Sequence, residues 1–353
     1  MESIKIKNYI NYFKLFDVKF IDDYKKYFLF SSLLKEDFDY IEMIPLHKKE
    51  EFKNKFISSE NCLKLKDKKN YIVRLEKYNE LFSKLCNINI DKLAYKSYLE
   101  VEKNETIISC IKSFRNSRRL SYDMFKTSTG RLVVDSGPQV LTLPSKNRSI
   151  IKSSFKEGKI LSIDFSTLEP RICLKLNNKD TNGDIYEEIS DLISFNADRS
   201  VIKRATISIL YGASYSSLTH LNISLERCKE IYNVINEYFG LDNIVKDASY
   251  VDENDTRKNF FGRPLDNINE TRKHILVNNY VQSTAVDISL SYFYELVSIL
   301  DKELAKPLFV LHDAIIFDVK SSYVEELNRV VNKGYNDNQL GYFPLKVEEF
   351  NKK

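Results

Sequence analysis

The stretch LSIDFSTLEPRICLKL, residues 161–176, limits the fold more than any other part of the chain. Its apolar run reads as a buried strand leading into a helix, yet Asp164 sits inside it. A buried carboxylate is costly unless something pairs with it. A second apolar stretch, PLFVLHDAIIFDV, reads as two strands meeting at His312-Asp313. Adjacent strands would bring Asp164 and Asp313 together, although 149 positions separate them. Two carboxylates a few Å apart cannot both stay ionised without cations. Divalent metals resolve this, and two ions about 3.5–4 Å apart can clamp the attacking and leaving oxygens of a phosphoryl displacement. For either aspartate alone, a cap on the next turn is the better explanation.

A third element shifts the balance. In DRSVIKRATISILYGAS, Arg199, Lys203, Ile207 and Tyr211 recur every four residues and line one helical stripe. Arg199 and Lys203 are like charges at i,i+4, unfavourable by about 0.2–0.5 kcal/mol. A nearby polyphosphate reverses that sign. A solvated basic face is the plain alternative, but such a face seldom runs on into an apolar residue and a Tyr-Gly pair.

The chain has 353 residues, 43% of them apolar, enough for two or three lobes with a real core. The net charge of +4 says little, but its distribution says more: residues 111–160 hold 11 basic side chains against 3 acidic ones. Such a segment suits a polyanion, or a solvated loop. Cys62, Cys86, Cys110, Cys173 and Cys228 are scattered without metal-ligand spacing, which fits free thiols in a reducing compartment and argues against zinc. No apolar run reaches the ~18 residues of a membrane helix, and the start of the chain is unlike a signal peptide.

Residues 1–105 show helical periodicity, and 106–126 reads as a basic helix. Strand and turn signals follow in TSTGRLVVDSGPQVLTLP, then helices over 184–240, broken at Tyr211-Gly212, and one long helix in NNYVQSTAVDISLSYFYELVSIL. A last helix (SSYVEELNRVVNKGY) and short strand (FPLKVEEF) complete an α+β pattern.

Taken in order, these motifs resemble the polymerase core of the family A DNA polymerases. DFSTLEPR is similar to the family's D-Y-S-Q-x-E-x-R, RSVIKRATISILYG to R-x-x-x-K-x-x-x-F-x-x-x-Y-G, and LHDA to V-H-D-E. TSTGRL matches T-x-T-G-R-L, FFGRPL matches a G-R-x-L element of the fingers, and NNYVQSTAVDI resembles N-x-P-x-Q-G-T-A-A-D. The resemblance covers about residues 120–350. It implies a right-hand fold: an antiparallel-sheet palm over 126–180 and 270–353, helical fingers over 181–269, and a shortened helical thumb over 60–125. Residues 1–59 have no assigned role.

The same resemblance implies a DNA-directed DNA polymerase that adds dNTPs to a primer on template DNA. Asp164 and Asp313, with the Phe165 carbonyl, would hold two Mg²⁺, for which Mn²⁺ could substitute. Arg199 and Lys203 would grip the incoming triphosphate, and Lys203 would protonate the leaving pyrophosphate. Tyr211 and Ile207 would bound the nascent-pair pocket, Gly212 would permit the turn there, and Glu169 would fill the space a ribose 2′-hydroxyl needs. Arg131, Asn278 and Gln282 would touch the primer–template minor groove, where acceptor positions are shared by all base pairs. His312 would meet the primer-terminal phosphate. A processivity factor, a helicase or a separate exonuclease are further expected partners, in a bacterial or viral replicon in the cytoplasm or in an organelle.

The pattern breaks in places. Ile207 stands where the family has Phe or Tyr, Ala314 replaces an acid, and Thr167 replaces Gln. Tyr280 and Ser283 replace Pro and Gly, while Gln139 and Thr142 stand where template-contacting asparagines are expected. The segment before the palm motifs is too short for a thumb plus a proofreading domain, and FDYIE at 38–42 lacks D-x-E spacing. No 3′→5′ exonuclease or 5′ nuclease is therefore expected in this chain. Two rivals share much of this reading. A single-subunit RNA polymerase or primase would leave the 2′-hydroxyl space open, which Glu169 opposes. A degenerate, DNA-clamping relative would have no need of Asp164, Asp313, Lys203 and Arg199 together.

Overall fold

The computed structural model describes residues 44–63, 66–115, 119–124, 126–181, 183–251, 257–265 and 269–352. The FDYIE segment and the rest of residues 1–43 lie outside them. The described residues begin with helices α1 (Leu46–Leu63), α2 (Lys66–Ser83), α3 (Lys92–Val101) and α4 (Glu105–Ser113). Strands β1 (Ser121–Asp123), β2 (Val133–Ser136) and β3 (Gly158–Phe165) follow. Next come α5 (Leu168–Leu176), α6 (Ile185–Asp191), α7 (Arg199–Leu210), α8 (Leu225–Phe239) and α9 (Leu241–Ser249). The short pair β4 (Arg257–Lys258) and β5 (Pro264–Leu265) leads to α10 (Lys273–Ile299), then β6 (Ala305–Leu311) and β7 (Ala314–Lys320). Helix α11 (Val324–Val331) and strands β8 (Tyr335–Asp337), β9 (Gly341–Phe343) and β10 (Leu345–Glu349) end the chain.

The central sheet has strand order β10-β3-β7-β6, antiparallel throughout. Alternate residues enter separate cores. Ile163, Phe165, Ile315 and Phe317 join the cluster that includes α10 and α5, whereas Ile160, Ile316 and Phe309 join Ile111 and Phe114 on the opposite face. Both faces of β3 and β7 are therefore covered, which is why these strands read as near-continuous apolar runs. Helix α10 is buried around most of its circumference, as its apolar character on all sides requires. No helix among the described residues is long and apolar enough to cross a membrane.

One sequence expectation needs correction. The basic helix expected over 106–126 ends at Ser113, and residues 121–123 form a strand instead. Tyr122 is recruited to the sheet edge: its hydroxyl donates to the Val310 carbonyl (2.7 Å) and accepts from the Val310 amide (3.0 Å). Those are open ladder positions of edge strand β6, so tertiary pairing outweighs local helical periodicity.

Candidate active site

Asp164 lies near the C-terminal end of β3, opposite Ala314 of β7 on one side and Lys346 of β10 on the other. The end of β3 is pinned by Phe165, whose ring packs against Tyr292 (5.5 Å), Phe293 (6.1 Å), Phe343 (6.3 Å) and Tyr335 (6.4 Å). Contacts of this kind contribute about 0.5–1.5 kcal/mol each beyond area burial. Asp313 occupies the two-residue turn between β6 and β7, with His312 in the left-handed region at φ 57°. A bulky residue there is strained, a feature that gathers at functional sites. The amide of Phe165 reaches the carbonyl of Asp313 at 3.4 Å, so the two acid-bearing segments touch.

The electrostatics match that proximity. Burial, and then the Asp313 carboxylate, push the Asp164 pKa up to about 6, with Lys346 pulling the other way. Asp313 is also raised, by burial first and then by Glu169 among its neighbours. One oxygen of Asp164, Oδ2, meets Lys346 Nζ at 3.3 Å. The other, Oδ1, is buried with no hydrogen-bond partner. A buried acceptor without a partner costs about 1–3 kcal/mol, more when charged.

Helix α7 presents its stripe to this acid pair. Arg199, Lys203, Ile207 and Tyr211 all line one cleft of about 680 Å³ together with Asp164 and Asp313. Ile207 and Tyr211 stay 39% and 41% exposed, high for apolar side chains and explained by the cleft. Gly212 closes the helix at φ 90°, and a Cβ there would lie 2.5 Å from the His274 side chain. Arg199 donates through Nε (2.8 Å) and Nη2 (2.5 Å) to Asp184, which also caps α6 by accepting from the Tyr186 amide. Across the cleft, Arg131 donates to Glu169 (3.1 Å) and to the Tyr211 hydroxyl (2.9 Å), and that hydroxyl donates to Glu169 (3.1 Å). Burial, then the positive charge of Arg131, hold the His312 pKa below its ordinary value.

Of the residues singled out in the sequence, Phe165, Glu169, Arg131, Gln282 and His312 also line the cleft, and Asn278 does not. Gln282 donates its side-chain amide to Asn278 one turn away. Gln139 and Thr142 lie exposed at a short 3₁₀ turn, while Tyr280 and Ser283 are buried in α10. The basic segment 111–160 is partly offset: Lys146, Lys152 and Lys159 meet Glu102 (3.0 Å), Asp91 (3.8 Å) and Glu349 (3.9 Å). Among the described residues no group of three or more His, Cys, Asp or Glu is arranged to hold a metal. Two carboxylates and a backbone carbonyl suit a hard ion such as Mg²⁺, which takes few protein ligands and completes its shell with water and substrate phosphates.

Sequence reasoning passed over three residues. Arg171, the last residue of DFSTLEPR, is buried and donates to the carbonyls of Ser166 (3.2 Å), Thr181 (2.6 Å) and Gly183 (3.0 Å). Arg263 of FFGRPL and Asp287 of STAVD pair in the core rather than at the cleft, at 2.8 and 3.2 Å. Arg263 also packs on the loop that carries Arg131: a Cβ on Gly130 would lie 1.9 Å from its Nη1. Both motifs were visible, but not that their charged members face each other.

A profile of DNA polymerase family A matches residues 38–350. The chain belongs to DNA polymerase family A. Two curated relatives are the DNA polymerase I proteins of Lactococcus lactis subsp. lactis (strain IL1403) and subsp. cremoris (strain MG1363). They are 25% identical over 266 residues and 24% over 262, and each match covers 63% of this chain. It covers 29% of each relative's length, so the family A chain here corresponds to under a third of those proteins. The POL domain of Pol1 from M. smegmatis, solved in complex with DNA primer-template and dNTP, superposes with a TM-score of 0.56 at 18% identity. That match covers 76% of this chain and 58% of the other, and it bears on the fold alone.

Proposed function

We propose that this chain is a template-directed DNA polymerase that extends a primer 3′ end with dNTPs by phosphoryl transfer at two divalent cations. The observation that carries this is the buried, unpartnered Oδ1 of Asp164, beside a second carboxyl and below the cationic stripe of α7. Bound there, the cations would activate the primer hydroxyl and neutralise the charge that develops on the transferring phosphate.

The chain's own residues do the rest by position and charge. Asp164 and Asp313 hold the cations, with the Phe165 carbonyl as a further oxygen. Arg199 exchanges Asp184 for the triphosphate, a like-for-like swap of one anion for another. Lys203, one turn further along α7 in the same cleft, is the group that gives a proton to the departing pyrophosphate. Glu169, held by Arg131 and Tyr211, fills the space beside the sugar and disfavours ribonucleotides. Arg131, Gln282 and Asn278 face the minor groove of the primer–template, and His312 the primer-terminal phosphate. In this reading the four-stranded sheet is the palm, α6–α9 the fingers and the N-terminal helices the thumb, and the chain excises no nucleotide from a mispaired primer end.

Primer extension tests this directly. Wild type should extend a primed DNA template with dNTPs in Mg²⁺, use NTPs poorly, and lose extension on Asp164→Asn. Extension with NTPs as readily as with dNTPs would favour an RNA polymerase or primase. DNA binding without extension in Mg²⁺ or Mn²⁺ would favour a non-catalytic clamp.

A further inference from the structure

The acid pair has an unusual neighbour. Lys346 stands directly across the β10–β3 ladder from Asp164, while the other ladder neighbour, Ala314, carries no charge. Its ammonium lies 3.3 Å from Asp164 and 3.2 Å from Glu348, two residues further along the same strand and so on the same face. The side chain lines the cleft and is 45% exposed, free to pivot on its four-carbon stem. It is thus shared between one acid that belongs to the proposed metal site and one that lies outside the cleft lining.

We propose that Lys346 is a built-in counter-cation, shared between Asp164 and Glu348 before a divalent ion arrives and left on Glu348 alone when it does. This rests on Asp164 being a metal ligand. Its consequence is that the free enzyme loads metal weakly, because the ion must displace an ammonium already paired with the ligand. Glu348 lowers that cost by holding the ammonium after it leaves Asp164.

Mn²⁺ titration of the full chain without DNA, read by the electron paramagnetic resonance of free Mn²⁺, separates the parts of the argument. Asp164→Asn should abolish the site seen in wild type. Lys346→Met should bind Mn²⁺ about two- to fivefold more tightly, the range set by removing one partly exposed ion pair, and Lys346→Arg should match wild type. Glu348→Gln should weaken binding severalfold in wild type but have no effect in the Lys346→Met background, as expected if it acts through the lysine. Equal affinity in wild type and Lys346→Met, with Asp164→Asn still abolishing the site, would overturn the role of Lys346 and leave the metal site standing. Equal binding by wild type and Asp164→Asn would overturn both.

Discussion

Two aspartates, Asp287 in the core and Asp164 half-buried at the cleft, show how one residue type serves opposite ends. Asp287 is fully buried, and every acceptor it has is used. Its carboxylate receives Arg263 through Nε and Nη2, Asn259 at 2.7 Å and Tyr71 at 3.4 Å, and its carbonyl receives Tyr78 at 3.0 Å. Those donors come from α2 and the β4–β5 turn, and Asp287 itself sits on α10, so the group fastens three segments together. Asp164 pairs one oxygen with a half-exposed lysine and leaves the other unpaired. A satisfied carboxylate holds a structure, and an unsatisfied one at a cleft waits for a ligand.

The contrast breaks most readily at Arg263. Arg263→Met leaves the Asp287 charge in the core with no counter-ion, which should cost about 3–5 kcal/mol, a large part of a typical stability. Urea unfolding should show a midpoint far below wild type, and an unchanged midpoint would mean the pair is not structural. Almost as large, but on a different axis, is Asp164→Asn. Incorporation should fall about a thousandfold or more, roughly 4 kcal/mol of barrier, while metal-free thermal stability at pH 7.5 stays level or rises. A Tm loss like that of Arg263→Met would place Asp164 among the structural acids.

Smaller effects sharpen the same comparison. Tyr78→Phe removes a buried hydroxyl that bonds the Asp287 carbonyl and lies 3.2 Å from Ser291, and should cost about 1–2 kcal/mol in the same unfolding assay with little change in catalysis per folded molecule. The mildest test is pH. Asp164 titrates at about 6, so protons compete with metal at a higher pH than at an ordinary carboxylate. Mn²⁺ affinity should fall about twofold from pH 7 to pH 6 and then approach a tenfold loss per unit. Affinity constant down to pH 5 would show that Asp164 is not the ligand that titrates.

Much of the site was legible because its signals are local. An acid in an apolar strand, a His-Asp turn between two strands and a stripe at four-residue spacing each follow from period two or period 3.6 within a short stretch. Lys346 was not legible, since its place opposite Asp164 depends on the register of two strands 182 positions apart. The Arg263–Asp287 pair needs the relative placement of a turn and a helix, and nothing in FFGRPL or STAVD states it. Segment 106–126 misled for a related reason: its helical pattern is real, but Tyr122 finds its partners in β6.

The most direct measurement is anomalous diffraction from Mn²⁺ in crystals of the chain with a primer–template, a chain-terminated primer end and the matching dNTP. The account predicts two peaks about 3.5–4 Å apart between the carboxylates of Asp164 and Asp313, with Lys346 turned to Glu348. Density for Mn²⁺ elsewhere, with the Asp164 and Asp313 side chains pointing to separate surroundings, would contradict it.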